Sequence, residues 1–172
     1  MCRDLTKRRL ELGETAFLHR ATELRLTVSQ PFGDNERYDF IVDNDYRLMR
    51  IQVKTTSSLR HGNAYEVHTG RRLSPSGRTS SPLVPYLKSE VDFIVVYLEP
   101  EKTWYIIPVT ALAGRTTLVF FSNSHTRPCA VWAYREAWHL LLARKETTLP
   151  WGQASRRRKL PSTTRRPASA TQ

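Results

Sequence analysis

Two runs rich in β-branched and aromatic residues, 37–42 (RYDFIV) and 47–55 (RLMRIQVKT), flank the turn-prone cluster Asp43-Asn44-Asp45-Tyr46. Little except a tight antiparallel hairpin accommodates that pattern. With Asp45 and Tyr46 as a two-residue loop, Asn44 faces Arg47, Ile41 faces Arg50 and Asp39 faces Gln52. Directly opposed residues share one face of a sheet. Side chains alternate along each strand, so Lys54 joins Gln52 on that face, diagonal to Asp39. Met49, Ile51 and Val53 then point to the opposite face with Tyr38, Phe40 and Val42, the predicted core side. A slip of one residue would exchange the two faces.

The polar face reads Asp39, twelve residues, Gln52, one residue, Lys54. Polar groups so arranged can bind a metal beside a phosphate. An ordinary solvated sheet shows the same residue types, and the hairpin alone leaves both readings open. The first helix, predicted over 5–24, adds a second constraint. Leu10, Glu14, Phe17 and Ala21 recur on one helical stripe, which sets Glu14 among apolar neighbours. A carboxylate there loses hydration unless it meets a cation, a metal or strong donors; the alternative is a helix-edge glutamate reaching back to solvent. Gly13 weakens the same helix by about 0.5–1 kcal/mol relative to alanine, which makes sense where the backbone must approach something closely.

These residues carry a resemblance. Gly13-Glu14, then Tyr38-Asp39-Phe40-Ile41-Val42, then Arg50-Ile51-Gln52-Val53-Lys54-Thr55 resemble the active-site run of the PD-(D/E)XK nuclease superfamily, and the spacing is most similar to its small endonucleases associated with group I introns. Residues 103–109 (TWYIIPV), 111–115 (ALAGR) and 134–138 (YREAW) extend the resemblance over about 10–142. Two departures stand out: Tyr38 replaces the proline before the aspartate, and Gln52 replaces the second acidic residue. The second removes one negative charge, although a glutamine oxygen remains a hard ligand for Mg²⁺.

The resemblance implies an α/β (α+β) restriction-endonuclease-like core, in which an N-terminal helix precedes a mixed, mainly antiparallel central sheet flanked by helices. It implies a Mg²⁺-dependent DNA endonuclease, with Mn²⁺ able to substitute. Glu14, Asp39, Gln52 and Lys54 are the implied catalytic residues; Glu14, Asp39, Gln52 and the Val53 carbonyl are the implied metal ligands, and Lys54 orients the attacking water. Thr55, Thr56 and Ser57, with Arg60, Arg71, Arg72 and Arg78, are candidate DNA contacts. The competing readings are a Holliday-junction resolvase or restriction-like nuclease, and a non-catalytic nucleic-acid-binding module.

Charge agrees with a polyanionic partner: the net charge is +11 and the isoelectric point near 10.2. Double-stranded DNA is the expected one. No run approaches the ~18 apolar residues needed to span a bilayer, and no secretory leader is evident, so no membrane partner and a cytoplasmic location are expected. Cys2 and Cys129 are too few for a disulfide framework, and the histidines at 19, 61, 68, 125 and 139 lack metal-ligand spacing.

Elsewhere, strands are expected at 26–32, 64–69, 91–98 and 104–109, with an edge strand at 116–121 and a closing amphipathic helix at 134–143 that turns Trp138, Leu141 and Leu142 inward. Residues 70–85 (GRRLSPSGRTSSPLVP) predict a flexible basic loop. The nuclease domain is expected over 1–146. Residues 147–172 have six basic residues and no acidic ones, and predict a disordered tail. A single small domain covers few base pairs, so a homodimer or higher symmetric oligomer is expected.

Overall fold

The computed structural model describes residues 2–33, 36–60, 63–73, 81–122 and 131–142; His61, Arg78, His125, Cys129 and the basic segment 147–172 lie outside the described residues. Helix α1 spans Cys2–Glu23. It stops where Arg25 takes a left-handed φ of 58° and the Leu26 N–H returns to the Ala21 carbonyl at 2.9 Å. Phe17 and Ala21 are fully buried, whereas Leu10 is 46% exposed. The inward stripe therefore begins at Gly13, one turn later than its predicted start at Leu10.

Among the described residues nine strands follow: β1 (Thr27–Ser29), β2 (Phe40–Asp43), β3 (Leu48–Thr56), β4 (Ala64–His68), β5 (Arg71–Arg72), β6 (Leu83–Val84), β7 (Phe93–Leu98), β8 (Thr103–Pro108) and β9 (Thr117–Phe121). The central sheet runs β1-β2-β3-β7-β8. Its hairpin has the predicted register, with Ile41 opposite Arg50 and Val42 opposite Met49. Asp45 supplies the left-handed φ of 68° that the tight loop requires. Asn44 anchors that loop from within: its Oδ1 accepts the Tyr46 and Arg47 N–H groups, and its Nδ2 donates to the Leu141 carbonyl at 3.2 Å.

Only the β3–β7 pairing in this sheet is parallel. Parallel neighbours need a crossover connection, and here β4–β6 lie within it. β4 pairs with β9 in a separate two-stranded sheet. The predicted edge strand at 116–121 is thus removed from the central sheet, because its alternating Leu118 and Phe120 are buried over the sheet's second face with Tyr65, Val67, Ile94, Val96 and Ile107. On the first face Phe17, Phe40, Val42, Met49, Ile51, Val53, Trp104 and Trp138 form the other core. Tyr38, just before β2, packs against the second core instead of the predicted first one.

Two further expectations are corrected. The ends of the basic stretch 70–85 are zipped by the β5–β6 ladder, in which Arg71 pairs with Val84 and Arg72 with Leu83, so this segment is not wholly a loop. No closing α-helix forms over the described part of 134–143. Glu136 adopts a left-handed φ of 47°, and its carboxylate accepts the Trp104 N–H at 2.7 Å and the Trp138 indole N–H at 2.9 Å. Those bonds dock the segment as two short 3-10 turns, Trp132–Tyr134 and Trp138–Leu140. Trp138 and Leu141 still face inward.

Candidate active site

Three elements converge beside the middle of β3. Alternation puts Arg50, Gln52 and Lys54 on one side of the strand, and α1 lies across the other. The helix can approach because Gly13 has no side chain: a Cβ there would come within 1.6 Å of the Thr55 Oγ1. That contact brings Glu14 to the end of β3. Asp39 arrives immediately before β2, where its N–H donates to the Ile51 carbonyl at 2.8 Å.

Asp39 is anchored twice through one oxygen. Its Oδ2 accepts the Val53 N–H at 2.7 Å and the Gln52 Nε2–H. Gln52 is only 8% exposed. An exposed polar sheet face would leave it solvated; here it is enclosed and bonded at both ends, because its Oε1 accepts the Tyr86 hydroxyl at 3.1 Å. The Lys54 ammonium lies 5.9 Å from the centre of the Tyr86 ring.

The charges are coupled. Burial pulls the Lys54 ammonium below the usual lysine range, opposed by Asp39 and Glu14. Burial likewise raises the Asp39 carboxyl, opposed by the Val53 N–H, Lys54 and Gln52. Glu14 is raised by burial first, then by repulsion from Asp39 and Glu11, with Lys54 acting against them. Two half-buried carboxylates therefore repel each other, and the Lys54 ammonium attracts both. Burial, with Asp39 adding to it, pushes the Tyr86 phenol up to about 12, so its hydroxyl stays protonated and able to donate. Perturbed groups gathered in this way mark functional sites more often than chance.

The chain belongs to the PD-(D/E)XK endonuclease family. The model of that family matches residues 5–141. Among solved structures, the chain is similar to a bacterial homing endonuclease, I-Ssp6803I, at 30% sequence identity and a TM-score of 0.68, over 80% of this chain and 93% of that one. No curated protein is significantly similar to it. The restriction-endonuclease-like fold expected from the sequence is the fold of this nuclease.

The remaining residues singled out in the sequence of this PD-(D/E)XK protein are dispersed. Thr55 lies under Gly13, and Thr56 is buried. Arg71 is held by Glu90 at 3.0 Å. Arg72 donates to the Ser81 carbonyl at 2.7 Å. Ser57 is half-buried, and Arg60 is the one exposed arginine among the described members of that set, 3.9 Å from Glu66. Sequence reading missed Tyr86. A lone tyrosine after a proline-rich stretch carries no local signal; only the fold brings it to Gln52. Among the described residues no helix is long and apolar enough to cross a membrane.

Proposed function

We propose that this nuclease is a Mg²⁺-dependent DNA endonuclease of the homing kind, cutting phosphodiester bonds at Glu14, Asp39, Gln52 and Lys54. The observation that carries this reading is the Lys54 ammonium, half-buried and flanked by the two partly buried carboxylates of Asp39 and Glu14.

The donor chemistry fits a hard divalent cation. Asp39 keeps Oδ1 outside its bonds to Val53 and Gln52, and among the described residues Lys54 is the cation that offsets the charge of Glu14. Among the described residues no three His, Cys, Asp or Glu side chains gather as a ligand group, so the set suits an ion that retains several waters and takes few protein oxygens. Glu14, Asp39, the Gln52 carboxamide oxygen and the Val53 carbonyl would hold Mg²⁺, and Mn²⁺ would substitute. When bound, the ion supplies Lewis-acid stabilisation of charge on the phosphoryl oxygens. Lys54 orients the attacking water in line with phosphorus and offsets the charge that develops there. Its lowered affinity for a proton, caused by burial, also suits it to proton exchange with that water.

Double-stranded DNA is the proposed substrate, approached through the net charge of +11. Arg60 and Ser57 are the proposed phosphate contacts beside the site, with Arg72, Arg78 and the basic tail 147–172 adding to them. The nuclease domain is assigned to 1–146. A homodimer or higher symmetric oligomer supplies the length of DNA that one copy cannot cover. The test is incubation of the full chain with a DNA library and Mg²⁺, followed by sequencing of cut ends. Recurrent Mg²⁺-dependent cuts lost in Lys54→Ala support the reading; equal cutting by the variant overturns the role of Lys54, and preferential cutting of four-way junctions favours a resolvase.

A further inference from the structure

One loop, 86–92, is held by three successive side chains on a single face of β3. Arg50 clamps its far end: the Arg50 backbone N–H and Nε–H both donate to Asp92 Oδ2, at 2.8 and 3.1 Å, and its terminal nitrogens donate to the Ser89 carbonyl and, at 2.9 Å, to the Lys88 carbonyl. Within the loop, Glu90 accepts the Leu87 N–H at 3.0 Å and pairs with Arg71 at 3.0 Å. The loop is therefore fixed on both sides of its turn. Its first residue, Tyr86, meets the next two positions on the strand: the hydroxyl bonds Gln52 at 3.1 Å, and the ring faces Lys54 at 5.9 Å.

We propose that Tyr86 is a positioning residue of the cleavage reaction: its hydroxyl sets the Gln52 carboxamide and its ring walls the Lys54 ammonium, on a loop that Arg50 clamps in place. The inference rests on the nuclease reading given above. Among the described residues the Gln52 carboxamide is otherwise held by Asp39 and its own strand, and a buried amide with one end unbonded would turn freely or lose a hydrogen bond. A phenol both donates and accepts, so Tyr86 supports either orientation of the amide. The ring stands 5.9 Å from the Lys54 ammonium, which also feels the charges of Asp39 and Glu14.

The test uses three variants of the full chain. Tyr86→Phe removes the hydroxyl and keeps the ring; it is expected to lower kcat about five- to tenfold with KM unchanged, the rate equivalent of about one net hydrogen bond. Tyr86→Leu removes both and is expected to lose a further factor of about two to five, the worth of a cation–π contact. Combined with Gln52→Ala, Tyr86→Phe is expected to add no further loss, because it acts through Gln52. Multiplying losses in that double variant, or wild-type kcat in Tyr86→Phe, overturn the proposal. A readout free of activity accompanies these rates: the Gln52 side-chain amide protons, followed by NMR, are expected to exchange slowly in the wild type and lose that protection in Tyr86→Phe. Unchanged Gln52 resonances overturn the positioning role whether or not the wild type cuts DNA. Loss of protection in a protein that cuts nothing upholds Tyr86 as the holder of Gln52 and overturns the nuclease reading alone.

Discussion

The two sides of β3 come from one nine-residue strand and do opposite work. Toward α1, Met49, Ile51 and Val53 are buried with Phe17, Phe40 and Val42 in an apolar core, and Thr55 closes that row beneath Gly13. On the other side, Arg50, Gln52 and Lys54 each engage a different polar partner: the 88–92 turn, Asp39 with Tyr86, and the carboxylate pair. Burial on the first side removes apolar surface from water and stabilises the fold. On the second side it shifts the proton affinities of Lys54, Asp39 and Glu14, at some expense in stability. Strand alternation separates the two tasks by a single residue.

Substitutions on the two sides should therefore fail in different ways. On the polar side, Lys54→Ala is expected to reduce cleavage on the order of 10³-fold, since it removes the ammonium proposed to face the developing charge, while its thermal midpoint stays within about 3 °C of wild type. On the apolar side, Met49→Ala is expected to cost about 2–5 kcal/mol through transfer and cavity terms, lowering the midpoint by roughly 5–20 °C. Its cleavage rate per folded molecule should remain near that of wild type. Calorimetry and single-turnover cleavage of both variants check the division; a Met49→Ala protein of normal stability but lost activity would erase it.

The same division marks what was legible in the sequence. Hydrophobic alternation and the Asp43–Tyr46 cluster gave the hairpin register, and the register brought Asp39, Gln52 and Lys54 together on paper. Gly13 carried its own signal, because a close approach accounts for a glycine that weakens that helix. Tyr86 carried none: its distance from Gln52 in sequence is closed by a crossover whose parallel β3–β7 pairing no local pattern encodes. The segment 134–143 misled for a related reason. Its spacing suits a helix, but a tertiary bond from Glu136 to the Trp104 backbone overrides that preference. The packing of β4 and β9 over β7 and β8 was equally invisible, since it depends on where two separate strands pair.

Gly13 joins the two sides, because it lets α1 seat on the apolar face and carry Glu14 to the polar one. Gly13→Ala is expected to destabilise by about 1–3 kcal/mol through overpacking against Thr55, against the ~1 kcal/mol that alanine would gain in an unobstructed helix. Displacement of α1 should also lower cleavage through Glu14. Adding Thr55→Ala removes the Oγ1 that the new Cβ meets at 1.6 Å, and is expected to restore part of both losses. If Gly13→Ala alone raises the midpoint, helix propensity outweighs the contact and the close approach is not what the glycine provides.

The smallest effect is expected at Glu14, and its sign is the most informative. Burial and repulsion raise its folded-state carboxyl above the ordinary glutamate value, so the folded protein binds the proton more tightly than the unfolded chain does. Stability then falls as pH rises from the ordinary carboxylate range through the raised value, and the charged form is a liability at neutral pH. Glu14→Gln should remove that liability. In chelator-containing buffer its thermal midpoint is expected to lie slightly above wild type near pH 7, and to converge with it near pH 4, where Glu14 in the wild type carries its proton. Cleavage with Mg²⁺ should nevertheless fall if Glu14 holds the ion as proposed. Thermal melts across pH 4–8 for both proteins decide the matter. A Glu14→Gln midpoint below wild type at pH 7 would mean that attraction to Lys54 outweighs burial, and that the polar side of β3 is held together by its charges instead of being strained by them.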